Sequence, residues 1–457
     1  YPLRRQRQMC IRDSPNTNMD EYGTPKEKSA IEDKATRDLN RIRNSLSFRI
    51  GLEMTKSLRK PWLIPLLPIN ISYLLFTYVL RRKGQITNST NLVSNIQNKQ
   101  RNSIILFPTN GVGMGHLARM HALAKEMKLE DPKLEIIFFT TNYVLHPIYS
   151  EGIACYHLPN KNKFQGMSAT QWNEICEEML ANVISIHKPF AFVFDGAYPY
   201  RGVLNAIKTQ NMIENIWIRR QGKPEYDNTP SDAYGIFNRI IVPGDFLPIN
   251  SEEMSKWPID EINVGQPIVG SIKIENKINL KQRLGIPENS TVGLVMLGAG
   301  VINDVGSLLN QVVKKLLNNG SYVIVGDSML NPSNFHLNHQ NIRFISEYPI
   351  MRHRSSFDYA VIAGGYNSVH EVVKHRLPAV IIPNENTKKD DQIARAEAVA
   401  QLGLALTARS NNPQNIELAL ERIMAKNVRK QVIDKIISYG MINGANNAAK
   451  FILGLKK

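Results

Sequence analysis

Two stretches of this chain set residues with chemical capacity beside glycines. The first, Thr109–Arg119, reads TNGVGMGHLAR, so a glycine-rich loop containing Gly113 and Gly115 runs straight into His116 and, three residues on, Arg119. An imidazole titrates near neutrality and can take a proton from a hydroxyl or from water without special tuning; at a helix start it can equally cap or pack. The second, Phe357–Gln392, reads FDYAVIAGGYNSVHEVVKHRLPAVIIPNENTKKDDQ. Its paired glycines, Gly364 and Gly365, precede Asn367 and Ser368, and backbone N–H groups in such a turn suit an anion, most often a phosphate. An ordinary β-to-α turn is the plainer reading. Ser368 and Glu371 have the S-x-x-E spacing of a capping box, so a helix is expected to open at Ser368.

The elements that must position these groups follow from apolar runs and their breaks. Strands are expected at Ser103–Phe107, Glu135–Thr140, Phe190–Phe194, Asn215–Ile218 and Arg239–Val242, with helices between them. A stretch rich in glycine and proline, residues 264–270, reads as a linker. The pattern then repeats with strand Val292–Leu297, a loop holding Gly298 and Gly300, a helix over Val305–Asn318, and strands Tyr322–Val325, Ile342–Ile345, the FDYAVIA run and Pro378–Pro383. Alternation at this pitch predicts an α/β protein with two Rossmann-like, doubly wound domains, residues 102–266 and 267–457. Loops at the carboxyl ends of their first strands should face a shared cleft.

Length and charge bound the rest. At 457 residues the chain is too long for one ordinary core. Of its net +16, residues 1–101 carry +11, from 19 basic and 8 acidic side chains, so the body is nearly balanced. Basicity in an extension rather than on a folded stripe points to an anionic surface and away from nucleic acid. Residues 1–14 resemble translated adapter sequence and are set aside; residues 1–34 read as a disordered tail. Residues 35–101 read as a basic extension and linker. Within it, an amphipathic helix is expected to about Leu58, then PWLIPLLPINISYLLFTYVL over Pro61–Leu80. Prolines and polar residues shorten its apolar part below a membrane span, and basic flanks with Trp62, Tyr73 and Tyr78 suit the interface of an anionic leaflet; packing against the body is the alternative. Three cysteines without CxxC spacing argue against disulfides and a structural zinc, and no signal peptide is visible, so a cytoplasmic setting is expected. No metal-ligand motif stands out, so no metal is expected.

The loop TNGVGMGHLAR resembles the G-x-G-H-x-x-R/P loop of GT-B glycosyltransferases, and AGGYNSVHE…LPAVIIP…DDQIARAEAVAQLG resembles their nucleotide-sugar donor motif, in the manner of the peptidoglycan N-acetylglucosaminyltransferase group and its family 28 C-terminal domain. The resemblance spans roughly residues 102–440. It implies His116 as the base for an acceptor hydroxyl. It implies backbone N–H groups at Gly364, Gly365, Asn367 and Ser368 around a diphosphate, with Gly298 and Gly300 approaching it closely. Glu371 would hold the ribose hydroxyls in competition with its capping-box role, and Asp391 and Gln392 would read the transferred sugar. The bland reading of KKDDQ, a solvated charge run, is kept for Asp390. On the acceptor side, the resemblance implies Gly113, Gly115 and Arg119 of the first loop, while Asp195 ends the strand AFVFD and could orient His116, bind acceptor or cap the next helix. Arg219 and Arg220 could meet an anionic acceptor or form a surface ion pair. The implied activity is inverting, metal-independent transfer from a nucleoside-diphosphate sugar, UDP foremost and with no other cofactor, to a hydroxyl of a cell-surface glycan or lipid-linked acceptor, by an enzyme held at the inner leaflet. Alternatives are a nucleotide-sugar hydrolase of the pseudaminic-acid-pathway type, whose loop is similar, and a silent nucleotide-sugar-binding scaffold.

Overall fold

The computed structural model describes residues 46–82, 100–109, 113–208, 210, 212–222, 229–248, 250–255, 257, 259, 261–298, 305–326, 338–387 and 390–456. Two compact units divide between residues 98 and 99. In the first, α1 (Leu46–Arg59) leads through a 3-10 turn (Pro61–Leu66) into α2 (Leu67–Arg82). Pro65 lies in the 3-10 turn, and Pro68 falls in the first turn of α2, where its missing N–H costs nothing. Leu58, Trp62, Ile69, Tyr73 and Phe76 are exposed, Leu58 at 76%. Among the described residues no helix is long and apolar enough to cross a membrane. The portion of the expected amphipathic helix before Leu46 lies outside the described residues.

The second unit holds two parallel sheets. Strands β1 (Ser103–Pro108), β2 (Glu135–Thr140), β3 (Ala154–His157), β4 (Ala191–Asp195), β5 (Glu214–Ile218), β6 (Arg239–Val242) and β7 (Glu261–Val264) form the order 3-2-1-4-5-6-7. Strands β8 (Val292–Met296), β9 (Tyr322–Gly326), β10 (Ile342–Ile345), β11 (Tyr359–Ile362), β12 (Ala379–Ile381) and β13 (Leu406–Thr407) form the order 10-9-8-11-12-13. Both are doubly wound. Continuous apolar runs such as SIILFP and AFVFD are buried on both faces, as a parallel sheet covered by helices requires. Residues 265–276 connect the halves without regular structure.

Each strand order reverses at its first strand, between β1 and β4 and between β8 and β11, and such a reversal opens a crevice at the carboxyl ends. Of the helices, α3 (Gly115–Glu130) follows β1, α4 (Ala169–His187) precedes β4 and α5 (Val305–Asn318) follows β8. Downstream, α6 (Tyr366–Lys374) follows β11 and α7 (Gln392–Gln401) follows β12. Helices α8 (Pro413–Met424), α9 (Lys426–Tyr439) and α10 (Gly444–Leu453) end the chain. The terminal helices were expected with the second half, yet α10 packs into the first: Ala445, Ala448, Ala449 and Ile452 share a core with Leu117, Met120 and Leu123 of α3. Small residues let the helices approach closely. Gly444 is fixed by the same approach, since a Cβ there would lie 2.1 Å from the Gln266 carbonyl oxygen.

Candidate active site

At the first reversal, β1 and β4 pair with Pro108 opposite Asp195. Asp195, wholly buried, thus points its carboxylate at the helix that the chain forms on leaving β1. Arg119, one turn into α3 and 2% exposed, grips that carboxylate as a fork, Nε to Oδ2 at 2.8 Å and an Nη to Oδ1 at 2.6 Å. His116 places Nδ1 2.8 Å from the same Oδ1. Burial alone would raise the Asp195 carboxyl, but the Arg119 guanidinium and His116 outweigh it and hold it below the ordinary carboxylate value. An ionised acceptor at that distance selects the Nδ1–H tautomer, which leaves the Nε2 lone pair as base. His116 is 18% exposed, so that nitrogen is within reach of solvent or substrate. Of the alternatives for Asp195, the geometry is that of a group orienting His116. Arg119, expected on the acceptor side, is spent on the Asp195–His116 pair, its Nη lying 2.6 Å from Asp195 Oδ1 and 3.1 Å from His116 Nδ1.

Across the crevice, β11 ends and the chain turns at Gly364 and Gly365. No Cβ fits at Gly364, where it would lie 2.9 Å from the Gln392 carbonyl oxygen; at Gly365 nothing lies within 4 Å. The capping box expected from Ser368 and Glu371 is not formed. The helix opens two residues earlier, at Tyr366, with Gly365 as N-cap and no side-chain cap bond. Anchoring of Tyr366 explains the shift, because its ring is buried and its hydroxyl donates to the Gly244 carbonyl at 2.8 Å. The first N–H groups of α6 thus stay without a side-chain cap, and Glu371 is released from capping. Its partly buried carboxyl makes no hydrogen bond or ion pair among the described residues, and burial pushes it up to about 7.

The remaining expected site residues are distributed as follows. Asn367 donates from Nδ2 to the Gly115 carbonyl at 3.0 Å, so the two glycine loops touch directly beside His116. Ser368 is half-buried in the first turn of α6, Gly113 is exposed, and Gly298 takes φ +97° after β8, a conformation open to glycine. Gly300 lies outside the described residues. Asp391 is the N-cap of α7, accepting from the Ala394 N–H at 3.1 Å, and the Gln392 side-chain oxygen accepts from the Asn384 N–H at 3.1 Å. Asp390 is no solvated bystander: Arg395 donates to it at 2.7 Å and Arg220 at 3.3 Å. Arg220 therefore joins the two halves rather than forming a surface pair. Arg219 turns away from the crevice into a cage of Trp217, Tyr234 and Trp257, its guanidinium 4.2 Å from the Trp257 ring centre and hydrogen-bonded to the Tyr234 hydroxyl. Three residues that sequence reasoning passed over, Asp245, Tyr366 and Arg395, occupy the seam between the halves. Among the described residues no cluster of His, Cys, Asp or Glu is placed to hold a metal.

Residues 306–446 match the family model described as glycosyltransferase family 28 C-terminal domain. The chain is 24% identical over 330 residues to the UDP-N-acetylglucosamine--N-acetylmuramyl-(pentapeptide) pyrophosphoryl-undecaprenol N-acetylglucosamine transferase of Salinibacter ruber, covering 66% of this chain and 82% of that protein. Among solved structures it resembles Os79 from O. sativa in complex with U2F and trichothecene, with TM-score 0.56, 13% identity and 77% and 100% of the two chains covered. It also resembles MurG of Acinetobacter baumannii, with TM-score 0.50, 14% identity and 77% and 99% covered. At these identities the solved structures bear on the fold.

Proposed function

We propose that this chain, a glycosyltransferase of GT-B fold whose residues 306–446 match the family 28 C-terminal domain, transfers a sugar with inversion from a nucleoside-diphosphate sugar, with UDP as the nucleotide, to a hydroxyl of a lipid-linked or cell-surface glycan. The observation that carries the reading is the His116–Asp195 pair abutting an uncapped helix N-terminus through the bond from Asn367 to Gly115. His116 Nε2 takes the acceptor's proton as its oxygen attacks the anomeric carbon, Asp195 steadies the imidazolium that results, and the bond from that carbon to the diphosphate breaks. Charge growing on the departing diphosphate falls at the N-terminus of α6, whose N–H groups and dipole favour it. A single direct displacement by a base-activated acceptor inverts the anomeric centre. Glu371, Asp391 and Gln392 are assigned, by resemblance, to the ribose and the sugar.

UDP-N-acetylglucosamine, the donor in the name of the Salinibacter relative, is the first substrate to try. Incubated with the purified chain with and without membrane extract, it should release UDP only with extract; release of UDP and free sugar without extract would instead identify a hydrolase in which His116 activates water. His116→Ala should lower release by about 10²-fold or more while UDP binding persists. Loss of binding in that variant would make His116 structural.

The helices of residues 46–82, with exposed Leu58, Trp62, Ile69, Tyr73 and Phe76 beside Lys56, Arg59 and Lys60, are proposed to lie on the anionic inner leaflet where such acceptors grow. Sedimentation with phosphatidylglycerol vesicles tests this. Removing residues 1–84 should abolish salt-sensitive binding, and unchanged binding refutes the contact.

A further inference from the structure

All three nitrogens of one buried guanidinium donate to groups at the seam between the halves. Arg395, in the first turn of α7 and 2% exposed, donates from Nε to both Asp245 oxygens at 2.9 Å and from one Nη to Asp245 Oδ2 and Asp390 Oδ1, each at 2.7 Å. Its other Nη donates to the carbonyl of Gly364 at 3.0 Å. Asp245 belongs to the loop after β6 in the first half; Gly364 and Asp390 belong to the second. We propose that Arg395 is a positioning residue that fixes the Gly364–Ser368 turn against the half carrying His116, so that donor and base meet in register.

Neighbouring contacts support one hub rather than scattered pairs. Arg220, after β5, donates to the Asp390 oxygen that Arg395 also holds. The Tyr366 ring lies 5.0, 5.4 and 5.8 Å from the guanidinium carbons of Arg220, Arg119 and Arg395, and its hydroxyl bonds Gly244, the residue before Asp245. His370 packs its ring 4.7 Å from Phe246 and 4.2 Å from Tyr366, with Nδ1 2.7 Å from the Tyr366 carbonyl oxygen. Burial pushes His370 down to about 4, so near neutral pH the ring adds packing but no charge beside Asp245. Asn367 ties one end of the turn directly to Gly115 of the first half, and Gly364 O is tied to it through Arg395, which holds Asp245 of that half. A guanidinium fork suits this task because one planar group serves three acceptors at fixed angles, which a lysine ammonium cannot reproduce.

The inference rests on the turn being the donor site. Arg395→Lys keeps the charge and loses the fork. With UDP-N-acetylglucosamine and membrane extract, it is expected to lower kcat by about 10²-fold, the scale of a misplacement near 1 Å, with KM and UDP affinity changed by less than about 3-fold. Hydrogen exchange should rise at residues 364–368 and 244–246 and stay unchanged at β8 and β9. Tyr366→Phe removes the hydroxyl's bonds to Gly244 and to the Ile268 backbone and preserves the ring, so it keeps the test informative where Arg395→Lys fails to fold; it should lower kcat several-fold at constant KM. Unchanged kcat and exchange in both variants would overturn the positioning role, as would a loss confined to KM. Wild-type protein that binds neither UDP nor any other nucleoside diphosphate overturns the donor-site reading first, and this inference with it.

Discussion

At the scale of single residues, Glu371 offers the sharpest handle. A carboxyl left without a hydrogen-bond partner among the described residues by the early start of α6, and pushed by burial from 4.5 up to about 7, is ionised only in part at neutral pH. Because the folded value is raised, the acid's contribution to stability is complete below 4.5 and is lost as pH rises through about 7. Binding should run the opposite way, since two ribose hydroxyls need the ionised acceptor. UDP affinity of the wild type, measured by calorimetry against pH, should climb up to about tenfold per pH unit on approaching 7 and then level off. Glu371→Gln should be weaker throughout and lack that component of the slope. Parallel profiles would remove Glu371 from the nucleotide site. His116 was legible because an imidazole directly after a glycine loop is a local pattern. The Arg395–Asp245 pair was not, because its members are 150 residues apart and each alone reads as an ordinary surface charge.

At the scale of elements, the two glycines of one turn do different work. Ten of the thirteen strands among the described residues were legible from their apolar runs to within a residue or two at most ends; β3, β7 and β13 were not, being short and only partly buried. The start of α6 was misread because S-x-x-E is a local signal, whereas the burial of Tyr366 is a tertiary one. The geometry separates the glycines. Gly364→Ala would press a methyl onto the Gln392 backbone at 2.9 Å and Pro383 at 3.2 Å, a strain expected to cost about 1–3 kcal/mol. Gly365→Ala meets nothing, and φ −64° suits alanine, so its melting temperature should match the wild type. Yet the added methyl would occupy the space proposed for the diphosphate, and UDP affinity should fall about tenfold or more, near the 1.4 kcal/mol that factor represents. Paired melting curves and UDP titrations of the two variants decide the matter: equal UDP binding by Gly365→Ala and wild type would put the diphosphate elsewhere.

At the scale of the whole second unit, the halves are not independent. Besides the seam at Arg395, the chain returns from the second half to lay α10 on α3, the helix that carries His116. An alanine-rich face at helical spacing says that a helix packs closely, but not on what, so this return was not legible. Its consequence is that the last turns of the chain stabilise the first half. Ile452, wholly buried there, should cost about 2–5 kcal/mol when cut to alanine. Trp172, Trp217 and Trp257 all lie in the first half, which makes tryptophan emission of a chain lacking residues 1–84 a probe of that half alone. Ile452→Ala should move the denaturant midpoint of this emission downward. If emission is unmoved while a second-half probe such as exchange at β11 and β12 shifts, then α10 serves the second half and the return contact contributes nothing to holding His116 in place.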